Sequence, residues 1–259
     1  MDVQSLFSLE GRTALITGGS RGIGRMIAEG YIACGVKLYI SARKAAQCDA
    51  TAAELRAMGG DVTSLPIDVS TLEGCKALAA EIGKREKKLD ILINNAGAAL
   101  LAKIDEFPES GWDKVVDLNM KTPFFLTQAL LPLLRAAATR EHPAKVINVA
   151  SIDGMSVNMQ ETYPYAASKA GLIHLTRRMA LRLTDDNIIC SGIAPGPFPS
   201  DMNTIARDQA DEVAERTPSG RVGIAEDMAG VAIYLASKAG DYVVGQTIAV
   251  DGGVTIKRG

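Results

Sequence analysis

The sequence has few of the residues that mark specialised classes of protein. Only two histidines and four cysteines occur among its 259 residues, and the cysteines include no Cys-x-x-Cys pair, so neither a zinc site nor a disulfide scaffold is expected. The first residues lack a basic segment followed by an apolar core, which argues against a secretory signal peptide. No apolar run approaches the ~20 residues that a membrane helix needs. We therefore expect a cytoplasmic protein with no metal and no membrane partner.

The sequence has no large excess of positive or negative charge, and aromatic side chains are scarce. The formal net charge is −2, so bulk electrostatics give no reason to expect nucleic acid as a partner. Aromatic residues make up 5% of the chain and hydrophobic residues 47%, a composition that suits the aliphatic core of a parallel sheet. A chain of this length could form one large α/β domain or two small ones.

Apolar runs of strand length alternate with helical patterns along the whole chain. The predicted strands are 13–17, 36–41, 62–66, 89–93, 145–150, 188–194 and 247–250. The first principal helix ends near residue 33. The others span 45–58, 72–88, 112–138, 164–183 and 225–237. Right-handed crossovers would give parallel strands with helices on both faces. Because no linker interrupts the alternation, we predict one domain over residues 1–259: a Rossmann-type α/β fold with a doubly wound parallel sheet of about seven strands.

A glycine-rich stretch follows the first strand and leads into a helix. Glycine permits a tight turn there and lets a pyrophosphate approach the backbone at the positive end of the helix. The spacing differs from the six-residue fingerprint of the commoner dinucleotide-binding enzymes, and a purely structural turn is the alternative. The predicted cofactor-binding residues of this turn are Gly18, Ser20, Arg21, Gly22, Ile23 and Gly24.

The end of the second strand indicates which nucleotide would bind. An NAD site usually has an acidic residue there for the ribose 2′-hydroxyl, but this sequence reads Ser-Ala-Arg-Lys at 41–44. Arg43 and Arg21 could flank a 2′-phosphate, which a guanidinium binds through a fork of hydrogen bonds. Solvation of either arginine is the alternative. The pair favours NADP(H) as the cofactor.

Residues at other strand ends could also face the nucleotide. A side chain just past the third strand could touch the adenine, and small or amide residues after the fourth strand would let a cofactor lie against the backbone, although a plain turn is possible there. The predicted contacts are Asp68, Val69, Asn95, Ala96, Gly97, Pro195 and Gly196. The polar segment 196–218 is flanked by proline and glycine and resembles a mobile lid.

Tyr165 and Lys169 are four residues apart on a helix that Pro164 is suited to begin, so they share one face of it. An ammonium beside a phenol lowers a pKa that is ~10 when unperturbed, which would let the tyrosine exchange a proton near neutral pH. Ser151, at the end of the fifth strand, could bring a hydroxyl into the same cleft. A surface pair is the usual alternative. We interpret the stretch as proton-transfer machinery for a carbonyl or an alcohol.

Asn119 lies in the middle of the predicted helix 112–138, close to Pro123. Proline removes a backbone hydrogen bond and distorts a helix. We therefore expect a kink near Asn119 that could expose a backbone carbonyl to water, with a solvated asparagine as the alternative.

Together these residues resemble the short-chain dehydrogenase/reductase superfamily, and within it the bacterial β-ketoacyl reductases, especially the kind associated with rhamnolipid synthesis. The resemblance covers essentially the whole chain and rests on the segments 17–24, 94–97, 165–169, 194–200 and 220–223 together with Asn119 and Ser151. Two features depart from it. Gly192 lies in a strand where a bulkier residue is expected to pack better, and segment 152–162 matches no particular substrate class.

The resemblance implies a role for each catalytic residue. Tyr165 would be the general acid of a reduction, and Lys169 would keep the pKa of the phenol low and bind the nicotinamide ribose. Ser151 would orient the substrate carbonyl, and Asn119 would hold a water that links Lys169 to solvent. Hydride would come from the nicotinamide. The family is commonly tetrameric, so the resemblance also implies a homotetramer that uses helices 112–138 and 164–183.

The implied substrate is a 3-oxoacyl thioester or a similar β-keto compound, with an acyl-carrier-linked form as one possibility. Arg177 and Arg178 could dock an acidic carrier protein, although exposed helix arginines are usually just solvated. A general carbonyl, sugar or polyol reductase on the same scaffold is the alternative function. A catalytically silent NADP(H)-binding sensor is a third hypothesis, but such a protein would not need a tuned phenol.

Overall fold

The computed structural model of the protein describes residues 2–257. Its strands are β1 (Thr13–Thr17), β2 (Lys37–Ser41), β3 (Val62–Leu65), β4 (Ile91–Asn94), β5 (Ala144–Val149), β6 (Ile188–Pro195) and β7 (Thr247–Val250). They form one sheet in the order β3-β2-β1-β4-β5-β6-β7, and every neighbouring pair is parallel. The winding reverses between β1 and β4, where such folds bind ligands at the carboxyl ends of the strands. The predicted doubly wound parallel sheet is confirmed.

Helices cover both faces of the sheet. They are α1 (Val3–Phe7), α2 (Gly22–Ala33), α3 (Ala45–Ala57), α4 (Leu72–Arg85), α5 (Glu109–Val116), α6 (Thr122–Ala137), α7 (Tyr163–Leu183), α8 (Thr204–Asp208), α9 (Ala210–Arg216) and α10 (Ala225–Ala236). One core lies under α2, α3 and α10, and the other under α4, α6 and α7. Successive residues of β1 alternate between them, with Ile16 in the first core and Leu15 in the second. Both faces are thus buried, which explains the continuous apolar runs.

The prediction of one continuous helix over 112–138 is wrong, and the difference affects the site. The structure has α5, then a π-helical turn at Asp117–Lys121 that contains Asn119, then α6 with Pro123 at its start. A π turn inserts an extra residue into the helical ladder, and proline cannot supply the backbone donor that a regular ladder would use. The expected distortion near Asn119 is therefore confirmed.

The polar segment 196–218, predicted as a lid, includes regular secondary structure. It contains the short helices α8 and α9, and the side chain of Asn203 caps α8 by accepting a hydrogen bond from the Ala206 amide at 3.1 Å. The other strand and helix boundaries differ from the predicted ones by a few residues, chiefly where β4 starts at Ile91 and where α4 ends at Arg85. The sequence pattern did not predict α1.

The expectation that a bulkier residue would pack better at Gly192 is wrong. Gly192 is the register partner of Thr247 in β7, and a Cβ built on it would lie 2.5 Å from Thr247 Oγ1. Glycine therefore lets β6 and β7 approach at this point.

Within residues 2–257, no helix is both long enough and apolar enough to span a membrane. The same residues contain no group of three or more His, Cys, Asp or Glu side chains that could hold a metal ion. All four cysteines are free thiols.

Candidate active site

The turn between β1 and α2 has the geometry of a phosphate cradle. Gly18 and Gly22 have positive φ angles of 65° and 51°, a conformation that glycine adopts without strain. A Cβ on Gly24 would collide with the Gly18 carbonyl, so glycine is needed for α2 to start against the turn. The N-cap residue Arg21 forms no side-chain cap, which leaves the first amides of α2 available to an anion. These residues fit a dinucleotide pyrophosphate.

Asn95 fastens the turn to the end of β4. Its Nδ2 donates to the carbonyls of Thr17 at 2.9 Å and Gly18 at 3.1 Å. The Thr17 hydroxyl in turn accepts from the backbone amides of Asn95 and Ala96, both at 3.1 Å. Asn95, predicted to contact the cofactor, therefore shapes the cradle through its amide group. Thr17 was missed as a site residue, although a hydroxyl directly before the glycine-rich turn was a usable signal.

The predicted 2′-phosphate ligands lie at the same edge of the sheet. Arg21 and Arg43 are both exposed. Arg43 follows β2, whereas Arg21 pairs with Asp201 of the predicted lid, with 2.7 Å between Nη1 and Oδ2. Asp201 was not predicted as a site residue; its signal in the sequence is an acidic residue just after the proline-rich end of β6.

The residues predicted near the adenine divide into one surface residue and one core residue. Asp68 is exposed, and its Oδ1 accepts a hydrogen bond from the Ser70 amide at 3.0 Å. The Val69 side chain belongs to the core under α4 and α6, while its carbonyl accepts from the Thr122 hydroxyl at 2.7 Å. The structure thus places Val69 as a packing residue that supports this edge.

Tyr165 and Lys169 lie at the point where β4, β5 and α7 meet. Lys169 is only 4% exposed, and its Nζ donates to the carbonyl of Val149 at 2.7 Å. The same Nζ lies 5.6 Å from the centroid of the Tyr165 ring. A Cβ on Gly97 would come within 3.7 Å of this Nζ, so the glycine leaves space beside the ammonium. The structure therefore brings Gly97, Tyr165 and Lys169 together.

The pKa of Tyr165 is raised, whereas the sequence predicts that the Lys169 ammonium lowers it. Burial raises the pKa of Tyr165, and the Asp153 carboxylate adds to the rise, while the interaction with the Ser151 hydroxyl opposes it. Burial lowers the pKa of Lys169 to about 8. Lys169 is not among the groups that shift the pKa of the phenol, because burial of the phenol prevails and the ammonium donates to the Val149 carbonyl. The phenol is therefore protonated at neutral pH, the state that a proton donor needs.

Asn119 is fully occupied by protein partners. Its Oδ1 accepts from the Ala98 amide at 2.8 Å, and its Nδ2 donates to the Ala98 carbonyl at 2.9 Å and to Ser168 Oγ at 3.1 Å. Ser168 Oγ also donates to the Tyr165 carbonyl at 2.8 Å. Asn119 thus ties the loop after β4 to α7, and a water at this position would have to use its backbone carbonyl. Ser168 was missed, although it directly precedes Lys169.

Ser151, Pro195 and Gly196 complete the edge. Ser151 Oγ accepts from the Asp153 amide at 3.1 Å and so begins the turn after β5. Pro195 ends β6, and the Gly196 amide donates to the Val250 carbonyl at 2.9 Å. A Cβ on Gly196 would lie 2.6 Å from the Cα of Asp251, so glycine is needed for this close approach.

Comparisons with known proteins show the family to which this chain belongs. The model of the family described as enoyl-(acyl carrier protein) reductase matches residues 18–255. The rhamnolipids biosynthesis 3-oxoacyl-[acyl-carrier-protein] reductase of Pseudomonas aeruginosa is 47% identical over 250 residues, which cover 95% of this chain and 97% of the relative. The 2-dehydro-3-deoxy-D-gluconate 5-dehydrogenase of Dickeya dadantii is 35% identical, with 97% and 98% covered.

Solved structures agree with the sequence comparisons. The Pseudomonas aeruginosa RhlG/NADP active-site complex has a TM-score of 0.93 and 44% identity, covering 97% of this chain and 99% of that one. A gluconate 5-dehydrogenase from Burkholderia cenocepacia in complex with NADP and tartrate has a TM-score of 0.90 and 33% identity, covering 99% and 100%. These similarities confirm the predicted resemblance: the chain belongs to the short-chain dehydrogenase/reductase family, the NAD(P)-dependent oxidoreductases.

Proposed function

We propose that this protein is an NADPH-dependent reductase that converts the β-keto group of a 3-oxoacyl thioester to a hydroxyl. The nicotinamide would supply the hydride. Tyr165 donates its phenolic proton to the carbonyl oxygen, and Ser151 orients that oxygen by a hydrogen bond. Lys169, fixed on Val149 at 2.7 Å, holds a positive charge beside the phenol and stabilises the phenolate that forms.

NADPH is proposed over NADH because no acidic residue follows β2 and two exposed arginines, Arg21 and Arg43, lie at the cofactor edge. The 2′-phosphate would give these guanidinium groups a dianionic partner. The NADP complexes of the two related structures support the same choice.

Five exposed apolar side chains on the loops after β4 and β5, here called the apolar rim, support the choice of an acyl substrate. The apolar rim consists of Leu101, Ile104, Met155, Val157 and Met159, which stand on the loops after β4 and β5, and all five are exposed. Val157 is 98% exposed and Met159 99%. Glu161 joins the two loops: its carbonyl accepts from the Ala102 amide at 3.3 Å and its Oε2 accepts from the Ile104 amide at 2.8 Å.

Exposed apolar side chains on the loops that follow the strands of a polar catalytic centre favour a substrate with a reactive carbonyl at one end and a hydrocarbon chain at the other. A sugar acid would instead require hydrogen-bonding partners along its whole length. The gluconate dehydrogenases among the relatives keep a sugar, polyol or general carbonyl reductase as the second candidate.

The substrate proposal is tested by kcat/KM with NADPH on 3-oxoacyl thioesters of increasing chain length and on 5-ketogluconate. We expect kcat/KM to rise with chain length. The double variant Val157→Ser, Met159→Ser should reduce that rise, whereas Met58→Ser, an exposed methionine at the end of α3, should leave it unchanged. Higher kcat/KM for the sugar acid, or a chain-length dependence that the rim variant leaves intact, would contradict the proposal.

The proposed acid is tested by Tyr165→Phe with Tyr242→Phe as its control, since Tyr242 is wholly exposed. Tyr165→Phe should lower kcat at least ~100-fold, in keeping with the loss of general acid catalysis, and should leave the Kd for NADPH nearly unchanged. Substantial turnover by Tyr165→Phe would show that another group donates the proton. A protein that binds NADPH tightly and reduces no carbonyl of a broad panel would revive the hypothesis of a silent sensor.

We further propose a cytoplasmic homotetramer whose interfaces use α5, α6 and α7. Trp112 on α5 and Phe124 on α6 support this, because both are large exposed hydrophobic residues. Sedimentation equilibrium of the wild type and of Phe124→Glu tests it; a monomeric wild type would contradict it.

The exposed Arg177 and Arg178 support a carrier-linked substrate, and their reversal to glutamate should then slow turnover of carrier thioesters more than that of free thioesters.

A further inference from the structure

The polar segment after β6 touches the phosphate cradle in two places. Asp201 pairs with Arg21 at 2.7 Å, and a Cβ on Gly22 would lie 3.2 Å from the Cβ of Ser200. The start of the predicted lid therefore rests against the residues that open α2. Arg21 is the N-cap residue of that helix, so its ion pair with Asp201 lies beside the phosphate cradle.

Asp201 does not depend on Arg21 for its charge balance. Its second carboxylate oxygen accepts from Arg207 Nη1 at 3.0 Å. Arg207 also forms a fork to Asp208, with bonds of 2.8 and 3.0 Å. Both arginines contribute to the lowered pKa of Asp201, Arg21 more than Arg207. Asp201 could therefore release Arg21 and still keep a cationic partner on its own segment.

We propose that Asp201 determines the affinity for the 2′-phosphate by occupying Arg21 until the nucleotide displaces it. The inference rests on the proposed role of Arg21. A phosphate monoester carries more negative charge than a carboxylate and offers three acceptor oxygens, so it competes effectively for the guanidinium. Displacement leaves Asp201 on Arg207 and separates the start of the segment from the cradle. NAD(H), which has no 2′-phosphate, gains nothing from this exchange.

Calorimetric titration with 2′,5′-ADP and with 5′-AMP, which lacks only the 2′-phosphate, tests the exchange without turnover. An exposed ion pair has a coupling energy that corresponds to roughly two- to five-fold in affinity. Asp201→Asn should therefore tighten the binding of 2′,5′-ADP by about that factor and leave the affinity for 5′-AMP unchanged. Asp208→Asn is the matched control, because it removes the same charge from a neighbouring side chain whose only bonds within residues 2–257 are to Arg207. It should change neither affinity.

The double variant separates this proposal from the role of Arg21. If Asp201 acts by competition, Asp201→Asn should have no effect on 2′,5′-ADP in an Arg21→Ala background. Weaker binding of 2′,5′-ADP by Asp201→Asn would overturn the proposal, since Asp201 would then be orienting Arg21 for the phosphate. Equal tightening by Asp208→Asn would also overturn it, because the effect would be one of net charge. An unchanged affinity in Arg21→Ala alone would instead show that Arg21 is not a phosphate ligand.

Discussion

The ammonium of Lys169 donates to the carbonyl of Val149 at 2.7 Å, on the strand that leads into Ser151. The lysine is thereby held by β5 while the helix that carries it also carries Tyr165. One hydrogen bond thus links the strand that supplies the serine to the helix that supplies the acid, and it sets the distance between the positive charge and the phenol.

The buried ammonium of Lys169 should make stability depend on pH. Its pKa falls from 10.5 to about 8 on folding because of burial, so between these values the unfolded chain binds more protons and stability rises with pH. From about pH 7.5 to about pH 9.5 the free energy of unfolding should rise by about 2 kcal/mol more in the wild type than in Lys169→Met. Urea unfolding at several pH values measures this, and parallel pH profiles would contradict it.

Asn119 should matter for both stability and activity because its amide makes three bonds to Ala98 and Ser168. Asn119→Ala leaves buried donors and acceptors unpaired, which should cost about 1–3 kcal/mol of unfolding free energy and slow turnover by displacing the loop after β4. Asn158→Ala is the control, since Asn158 is only partly buried and, among the residues that the structure describes, its side chain bonds only the Gln160 amide. The free energy of unfolding in denaturant and kcat are measured for both variants. Equal effects of the two variants would show that the Ala98 contact is unimportant.

Two glycines should respond in opposite ways to alanine. Gly192→Ala would place a methyl group 2.5 Å from Thr247 Oγ1 and should destabilise the protein by about 1–3 kcal/mol. Gly83 lies in α4 with open space at its Cβ position, so Gly83→Ala should stabilise the protein by about 0.5–1 kcal/mol. Thermal unfolding compares them. The addition of Thr247→Ala should partly rescue Gly192→Ala, and a stabilising Gly192→Ala would refute the steric argument.

The ion pair of Lys145 and Asp241 should be sensitive to the loss of its acidic partner. Lys145 is fully buried in β5, 2.6 Å from Asp241, and it also donates to the Ser237 carbonyl. Asp241→Ala would leave a buried ammonium unpaired and should cost about 3 kcal/mol. Lys145→Met should cost less, and Asp241→Ala should have little further effect in the Lys145→Met background. A double-variant cycle by urea unfolding checks this; additive losses would contradict it.

Much of the site followed from local sequence because local rules position it. The alternation of strand and helix determines the doubly wound sheet, and that sheet brings strand ends to one edge. A four-residue spacing places Tyr165 and Lys169 on one face of α7. The glycines between β1 and α2 predict the cradle, since few other residues tolerate its backbone angles. These are consequences of neighbours along the chain.

Tertiary structure decided what depends on residues far apart in the chain. Only the packed fold shows that burial raises the pKa of Tyr165, that Asn95 serves the cradle, that Gly192 accommodates Thr247, and that Asp201 reaches Arg21. Solvent exclusion and contacts between residues 78 or 180 positions apart leave no periodic trace in the sequence. The sequence therefore determined which groups carry the chemistry, and the tertiary structure decided their partners and protonation states.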